Sequence, residues 1–300
     1  MNTKIKMAAL AATVTIALTA CSSGSGDADP TTTPATGSGD TSSAMASDFA
    51  AGSTMAKLHD AGTITIGTKF DQPLFGLKPP SGDPVGFDVS IAKIIAGELG
   101  IEDSGITWTE TISANREPFI EGGQVDMVVA TYTINDDRKK VVSFAGPYYN
   151  AGQALMVLSD NTDITGPDDL AGKNVCSVEG STPAENIRDN YPDANLKLFG
   201  AYTDCLEPLS NGAVDVVTTD NVILAGYVAD SEGKFKVAGE PFTEEPYGIG
   251  LNHDDDEFRT WVNDVLEASF EDGSWLKAWN DTAGTVLPEP TVPTIDRYEN

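Results

Sequence analysis

The sequence predicts an α/β protein made of two similar lobes that face each other across a cleft. Short apolar runs alternate with amphipathic stretches and glycine-marked ends throughout the chain, the pattern of strands and helices in largely parallel sheets. One segment is also echoed. Gly123-Gln124-Val125-Asp126-Met127-Val128-Val129-Ala130-Thr131 resembles Gly212-Ala213-Val214-Asp215-Val216-Val217-Thr218-Thr219-Asp220. Both read G-x-V-D-x-V, both follow a helix and both finish on polar residues, so Thr131 and Asp220 occupy equivalent strand ends. Open parallel sheets bind their ligands outside the carboxyl ends of the strands, which places the cleft there.

The elements follow in order. A short helix through Met55, Leu58 and His59 stops at Gly62, and Thr63-Ile64-Thr65-Ile66-Gly67 is a strand. Residues 68–73 are the loop leaving it, and Gly82, Asp83 and Pro84 mark a turn. Val89, Ile91, Ala92, Ile94, Ile95 and Leu99 have helical spacing, ended by Gly100. Residues 106–109 form a strand, 116–121 a helix and 125–129 a strand. Apolar strands are expected over 152–158 and 174–178.

Charge and the N-terminus narrow the function. With 18 Lys+Arg against 46 Asp+Glu the formal charge is -28, which excludes a nucleic-acid footprint and a polybasic membrane helix. Lys4 and Lys6 precede an apolar run over residues 7–19, too short for a permanent span, so the start reads as an export signal over 1–20. Leu18-Thr19-Ala20-Cys21 looks like a bacterial lipobox, with Cys21 lipidated as the first mature residue. A tether of Ser, Thr, Gly, Asp and Pro follows, to about residue 49. The expected location is therefore outside the cytoplasm, held at the cell membrane by lipid. Cys176 and Cys205 remain. In an exported protein such a pair suits a disulfide, two buried thiols being the alternative. No metal or cofactor is expected, because His59 and His253 have no ligand spacing to the cysteines.

Two stretches carry the binding chemistry. After Ala130 come Thr131 and Thr133, then Asn135, Asp136 and Asp137 as a helix start, then Arg138. Backbone groups at a strand end, two hydroxyls and a guanidinium make a cradle for a small carboxylate. Gly180, Ser181 and Thr182 precede Pro183 at a helix's first turn, which collects free N–H groups and a positive dipole end; a plain helix cap is the other reading.

The stretch Gly86-Phe87-Asp88-Val89-Ser90-Ile91-Ala92-Lys93-Ile94-Ile95-Ala96 resembles the signature of the family 3 extracellular solute-binding proteins, the polar amino-acid receptors of ABC importers. Ser90 departs from it, standing where that signature usually carries an acid. Arg138, Val142-Ser143-Phe144, Pro147-Tyr148-Tyr149 and Pro246-Tyr247-Gly248-Ile249-Gly250 are similar to the family's later blocks. The actinobacterial glutamate-binding lipoproteins are resembled in particular, through Cys176-Ser177-Val178 and Cys205-Leu206-Glu207. The resemblance implies a bilobal periplasmic-binding-protein-like fold of type II, two α/β lobes joined by two crossover strands. Lobe 1 would be 50–151, lobe 2 152–246, the return to lobe 1 247–283, and 284–300 a tail. The crossings would fall near 152–157 and 247–251.

By the same resemblance Arg138 clamps the ligand's α-carboxylate, helped by Thr133, Ser181 and Thr182. Asp220, with acceptors at Ala130 and Thr131, takes the α-ammonium. Lys69 and Arg116 would set specificity, since two cations suit a side-chain carboxylate, hence glutamate or aspartate. Phe70 or Phe75 would cover the ligand's apolar face, unless both belong to the core. The net negative charge does not forbid this, because salt damps charges beyond about 8 Å and leaves the local cations in control. The partners implied are a small amino acid and an importer permease, the receptor itself acting as a monomer. Three rivals stand beside this reading: a receptor for glutamine or another polar amino acid, an exported dehydratase-like enzyme using carboxylates on the same fold, and a sensor or adhesive surface protein. The sequence carries no G-x-S-x-G, no H-E-x-x-H and no cysteine beside a histidine, so the expected class is not an enzyme.

Overall fold

The computed structural model describes residues 49–298. The export signal, most of the tether and Cys21 lie outside the described residues. The chain begins with helix α1 (Thr54–Ala61), whose first turn is capped by the Ser53 hydroxyl accepting from Ala56 N–H at 3.1 Å. Strand β1 (Ile64–Thr68), a tight hairpin of β2 (Asp71–Gln72) and β3 (Gly76–Leu77), and helix α2 (Phe87–Glu98) follow. Next come β4 (Ile106–Glu110), α3 (Arg116–Glu121), β5 (Met127–Thr133) and β6 (Val142–Ala151). The second lobe runs β7 (Gln153–Leu158), β8 (Asn174–Val178), α4 (Thr182–Asn190), β9 (Asn195–Phe199), α5 (Leu206–Ser210), β10 (Val216–Asp220), α6 (Asn221–Asp230) and β11 (Phe235–Ala238). The chain then returns through β12 (Glu245–Asn252), α7 (Asp256–Asp272) and α8 (Ser274–Asp281).

Two five-stranded sheets result, ordered β4-β1-β5-β12-β6 and β11-β7-β10-β8-β9. In the first, β1 is parallel to β4 and β5; in the second, β8 is parallel to β9 and β10. The chain leaves the first sheet at Gly152 and comes back between Ala238 and Glu245. Residues 247–251, expected as a crossing, lie in the first sheet, paired with β5 and β6. The strand expected over 125–129 also runs on to Thr133. Val128 pairs with parallel β1 on one side and with antiparallel β12 on the other, and β12 continues alongside to Thr133.

The echoed segments do the same work in each lobe. Asp126 accepts from Thr65 N–H at 2.7 Å and returns its own N–H to the Thr65 carbonyl at 2.8 Å. Asp215 accepts from Asn174 N–H at 2.7 Å and returns its N–H to the Asn174 carbonyl at 2.8 Å. Each aspartate therefore locks its own strand to the parallel neighbour and fixes where the strand's far end emerges.

An aromatic core sits behind the cleft, with Phe75, Phe87, Tyr148, Tyr247, Trp275 and Trp279 fully buried. Phe75 lies with its ring centre 6.1 to 6.5 Å from those of Phe87, Tyr149, Tyr247 and Trp279, so it is core and does not reach a ligand. Such edge-to-face packing adds about 0.5–1.5 kcal/mol per pair beyond burial. The chain end packs on the first lobe, where the Tyr298 hydroxyl accepts from Phe144 N–H at 2.7 Å. A disulfide joins Cys176 in β8 to Cys205, with Cα atoms 5.9 Å apart. In the chain-entropy account a loop of this size contributes about 3–4 kcal/mol.

Candidate functional site

Five strand ends converge between the sheets. From the first lobe, Lys69 follows β1, Ser113 and Arg116 follow β4, and Thr131 to Thr133 close β5. From the second, Gly180, Ser181 and Thr182 follow β8 and Asp220 closes β10. The lobes meet here: the Thr182 and Thr133 hydroxyls lie 3.3 Å apart, and the Gly180 carbonyl accepts from Arg116 at 3.3 Å and Arg138 at 3.0 Å.

Between them lies a small cleft cavity with room for about one water molecule, lined among others by Arg116, Thr131, Thr133, Ser181, Thr182 and Asp220. Lys69, Ala130 and Arg138 stand just outside its lining. The Lys69 ammonium donates to the Ser113 hydroxyl at 2.9 Å, and Ser113 is itself a wall residue. The Ala130 carbonyl accepts from Arg116 at 3.3 Å. Arg138 holds the mouth, donating to the Thr133 carbonyl at 2.7 Å and pairing with Glu117 at 3.2 Å. Phe70 is not in the wall either; the Lys78 ammonium sits over its ring at 5.5 Å.

Arg116 is 3% exposed and already makes four bonds, to the carbonyls of Ser113, Ala130, Thr131 and Gly180, each at 3.3 Å. Its guanidinium lies 4.2 Å from the Tyr132 ring centre, a stacked cation that a lysine would not reproduce. Burial and the neighbouring Arg138 pull its pKa down, yet an arginine remains charged. Burial and the same two arginines bring Lys69 from 10.5 down to about 7. Lys69 is thus poised to gain a proton when an anion arrives.

Asp220 is 3% exposed. Its Oδ2 accepts from the Tyr247 hydroxyl at 2.6 Å, while buried Oδ1 has no partner. Burial first, then the nearby Glu245 carboxylate, raise it from 3.8 to about 8. It begins α6 without bonding the helix's N–H groups, so a plain capping role is not what holds it there. Ser181, in contrast, does cap α4, accepting from Ala184 N–H at 3.2 Å and donating to the Val178 carbonyl at 2.7 Å. Thr182 spends its hydroxyl on Thr133 and on Glu245, the latter at 2.7 Å.

Thr131 carries the strain of the site. Its φ is +43°, unusual for a β-branched residue and costing of the order of 1–3 kcal/mol. Fully buried Asp88 offsets this, accepting from Thr131 N–H and from the Tyr148 hydroxyl, both at 2.7 Å. The bent strand end then delivers the Thr131 carbonyl to Arg116.

Sequence reasoning missed wall residues Ser113, Tyr202, Thr219, Pro183 and Ile223. Thr219 had a signal, since it precedes Asp220 in the echoed segment; Tyr202 arrives from a turn with none. Among the described residues no group of three or more His, Cys, Asp or Glu side chains is placed to hold a metal ion, and no helix is long and apolar enough to cross a membrane.

Residues 64–281 match the family model of the bacterial extracellular solute-binding proteins, family 3. The chain belongs to that family. A glutamate-binding protein GluB of Corynebacterium efficiens is 43% identical over 234 residues, covering 74% of this chain and 79% of its own length. An ABC transporter glutamine-binding protein GlnH of Bacillus subtilis is 38% identical over 231 residues, covering 75% and 84%. Among solved structures, an ancestral arginine-binding protein bound to glutamine superposes with a TM-score of 0.70 at 34% identity, covering 74% of this chain and 97% of its own. These relatives of the family 3 chain are named as binding proteins, which accords with a receptor that leaves its solute unchanged.

Proposed function

We propose that this family 3 protein is the lipid-anchored, extracytoplasmic receptor of an ABC importer. It binds an acidic amino acid, glutamate or aspartate, between two closing lobes. The observation that carries the reading is the cluster of three buried cations, Lys69, Arg116 and Arg138, on the first-lobe side of the cavity. Facing them is one carboxylate with a free oxygen, Asp220. A ligand with one ammonium and two carboxylates fits that imbalance. Its ammonium ionises Asp220, and its carboxylates meet Arg138 and the Lys69–Arg116 pair. GluB supports the choice of glutamate by its name and its 43% identity.

Glutamine is the second reading. Arg116 is committed to four carbonyls, and Lys69 with a pKa of about 7 suits an amide oxygen as well as a carboxylate. Calorimetric titration of the protein with L-glutamate, L-aspartate and L-glutamine separates the two. Glutamate binding that collapses in Lys69→Ala and Arg116→Ala supports the acidic site; tight glutamine binding indifferent to Lys69 sinks it. The anchor is tested by labelled palmitate, whose incorporation the Cys21→Ser variant should lose. Delivery to an importer is tested by co-purification with a membrane permease.

A further inference from the structure

We propose that Asp71 is the clasp that holds the second lobe closed, so that the turn carrying Lys69 also sets how long a ligand stays bound. The inference rests on the receptor reading of the cleft. Asp71 stands two residues beyond Lys69, in β2 of the short hairpin. Its carboxylate reaches into the other lobe. Oδ2 accepts from Tyr202 N–H at 3.1 Å, with Thr203 N–H behind it at 3.5 Å. The Tyr227 hydroxyl on α6 spans both the Asp71 carbonyl, at 3.0 Å, and the carboxylate, at 3.3 Å. Tyr227 is 3% exposed and Asp71 partly so, so the hydroxyl side of the contact is shielded from water.

The surfaces around the clasp are cut to fit. A Cβ on Gly226 would meet the Pro73 carbonyl oxygen at 2.7 Å, so the hairpin lies directly on the backbone of α6. A Cβ on Gly180 would lie 2.8 Å from Ala114 Cα, a second backbone-to-backbone contact between the lobes. The receiving turn is fixed in its own lobe as well, because Tyr202 and Cys205 share one 3-10 turn and the disulfide pins Cys205 to β8. Asp71 does not line the cavity, so its part is to position the lobes and not to touch the solute.

A clasp of this kind slows release without choosing the ligand. The test is stopped-flow kinetics on Asp71→Ala, Asp71→Asn and Tyr227→Phe in the full chain, with L-glutamate and L-glutamine as probes. Small-angle scattering at saturating probe is recorded alongside. Asp71→Ala is expected to raise the dissociation rate by about 10-fold or more, the effect of losing a charge-assisted bond. Association should stay within about twofold, since encounter involves the open lobes. The glutamate-to-glutamine preference should be retained, and the liganded variant should scatter as a less compact particle. Tyr227→Phe, which removes one oxygen and leaves the fold's packing intact, should release faster too and add little on top of Asp71→Ala. Release rates and compaction equal to wild type in both variants would overturn the clasp. A wild type that holds L-glutamine and ignores L-glutamate would sink the acidic-ligand reading, while the same release rates would still test Asp71.

Discussion

The two lobes use one device to align their strands and opposite chemistry to face the ligand. In each, the aspartate of G-x-V-D fixes a parallel pair through the same two hydrogen bonds, and five residues later the strand reaches the cleft. There the likeness stops. The first lobe presents Thr131, bent to φ +43° with Arg116 on its carbonyl, on the side of Lys69 and Arg138; the second presents Asp220 at the end of β10. The shared part is a matter of backbone, while the divergent part is a matter of charge. A zwitterion with a second carboxylate requires both, since neither lobe alone offers partners for all three of its charges.

The comparison breaks most severely at Asp220. On the proposed reading, replacing it with Asn leaves the ligand's ammonium buried without a counter-charge, a loss of about 3–5 kcal/mol, and binding should fall below detection in calorimetry. The same variant should be the more stable protein in alkali. The folded carboxyl titrates near 8 against an ordinary 3.8, so the ligand-free wild type loses stability as the pH rises between those values. Melting at about pH 9 should show Asp220→Asn above wild type, and near pH 4 the two should converge.

The disulfide is a second asymmetry, present in the second lobe alone among the described residues. Cys176→Ser with Cys205→Ser should lower unfolding stability by about 3–4 kcal/mol in urea titration. Lys69→Met comes next, costing glutamate about 1.5–3 kcal/mol and glutamine less. It should also change the shape of the pH profile. On the proposed reading, binding needs Lys69 protonated and Asp220 ionised, groups whose pKa values burial moves to about 7 and about 8 in the free protein. Wild-type affinity should therefore peak between those values and fall on both sides, and Lys69→Met should lose the alkaline fall alone. The smallest effect tests the likeness itself. Asp126→Ala and Asp215→Ala remove matching bonds and should each cost about 1–2 kcal/mol of stability. Costs that differ severalfold would show that the echo is one of sequence and not of energetics.

What was legible in the sequence was what local pattern encodes. The helix over residues 87–98 shows in the spacing of its apolar residues, the echoed strands in their shared G-x-V-D-x-V pattern, and the cap at Ser181 in a hydroxyl before Pro183 that left an anion seat open as well. The β2–β3 hairpin is indistinguishable from loop in the sequence, because strands of two residues carry no periodicity. Asp71 and Tyr202 find each other across the cleft, and no spacing in the chain announces a contact between lobes. Arg116 shows a subtler limit. Its type pointed to a carboxylate, but its position at the start of α3 gives it four carbonyls first, and the cation left beside a wall hydroxyl is Lys69. Residue type was readable, whereas the competition for its hydrogen bonds was not.

The division of labour between the lobes is tested most directly by a crystal structure of the protein with L-glutamate. The account predicts the ammonium on Asp220 Oδ1, the α-carboxylate on Arg138, and the side-chain carboxylate within salt-bridge distance of Lys69. A glutamate whose side-chain carboxylate points away from Lys69 and Arg116, with Asp220 left unpaired, would contradict it.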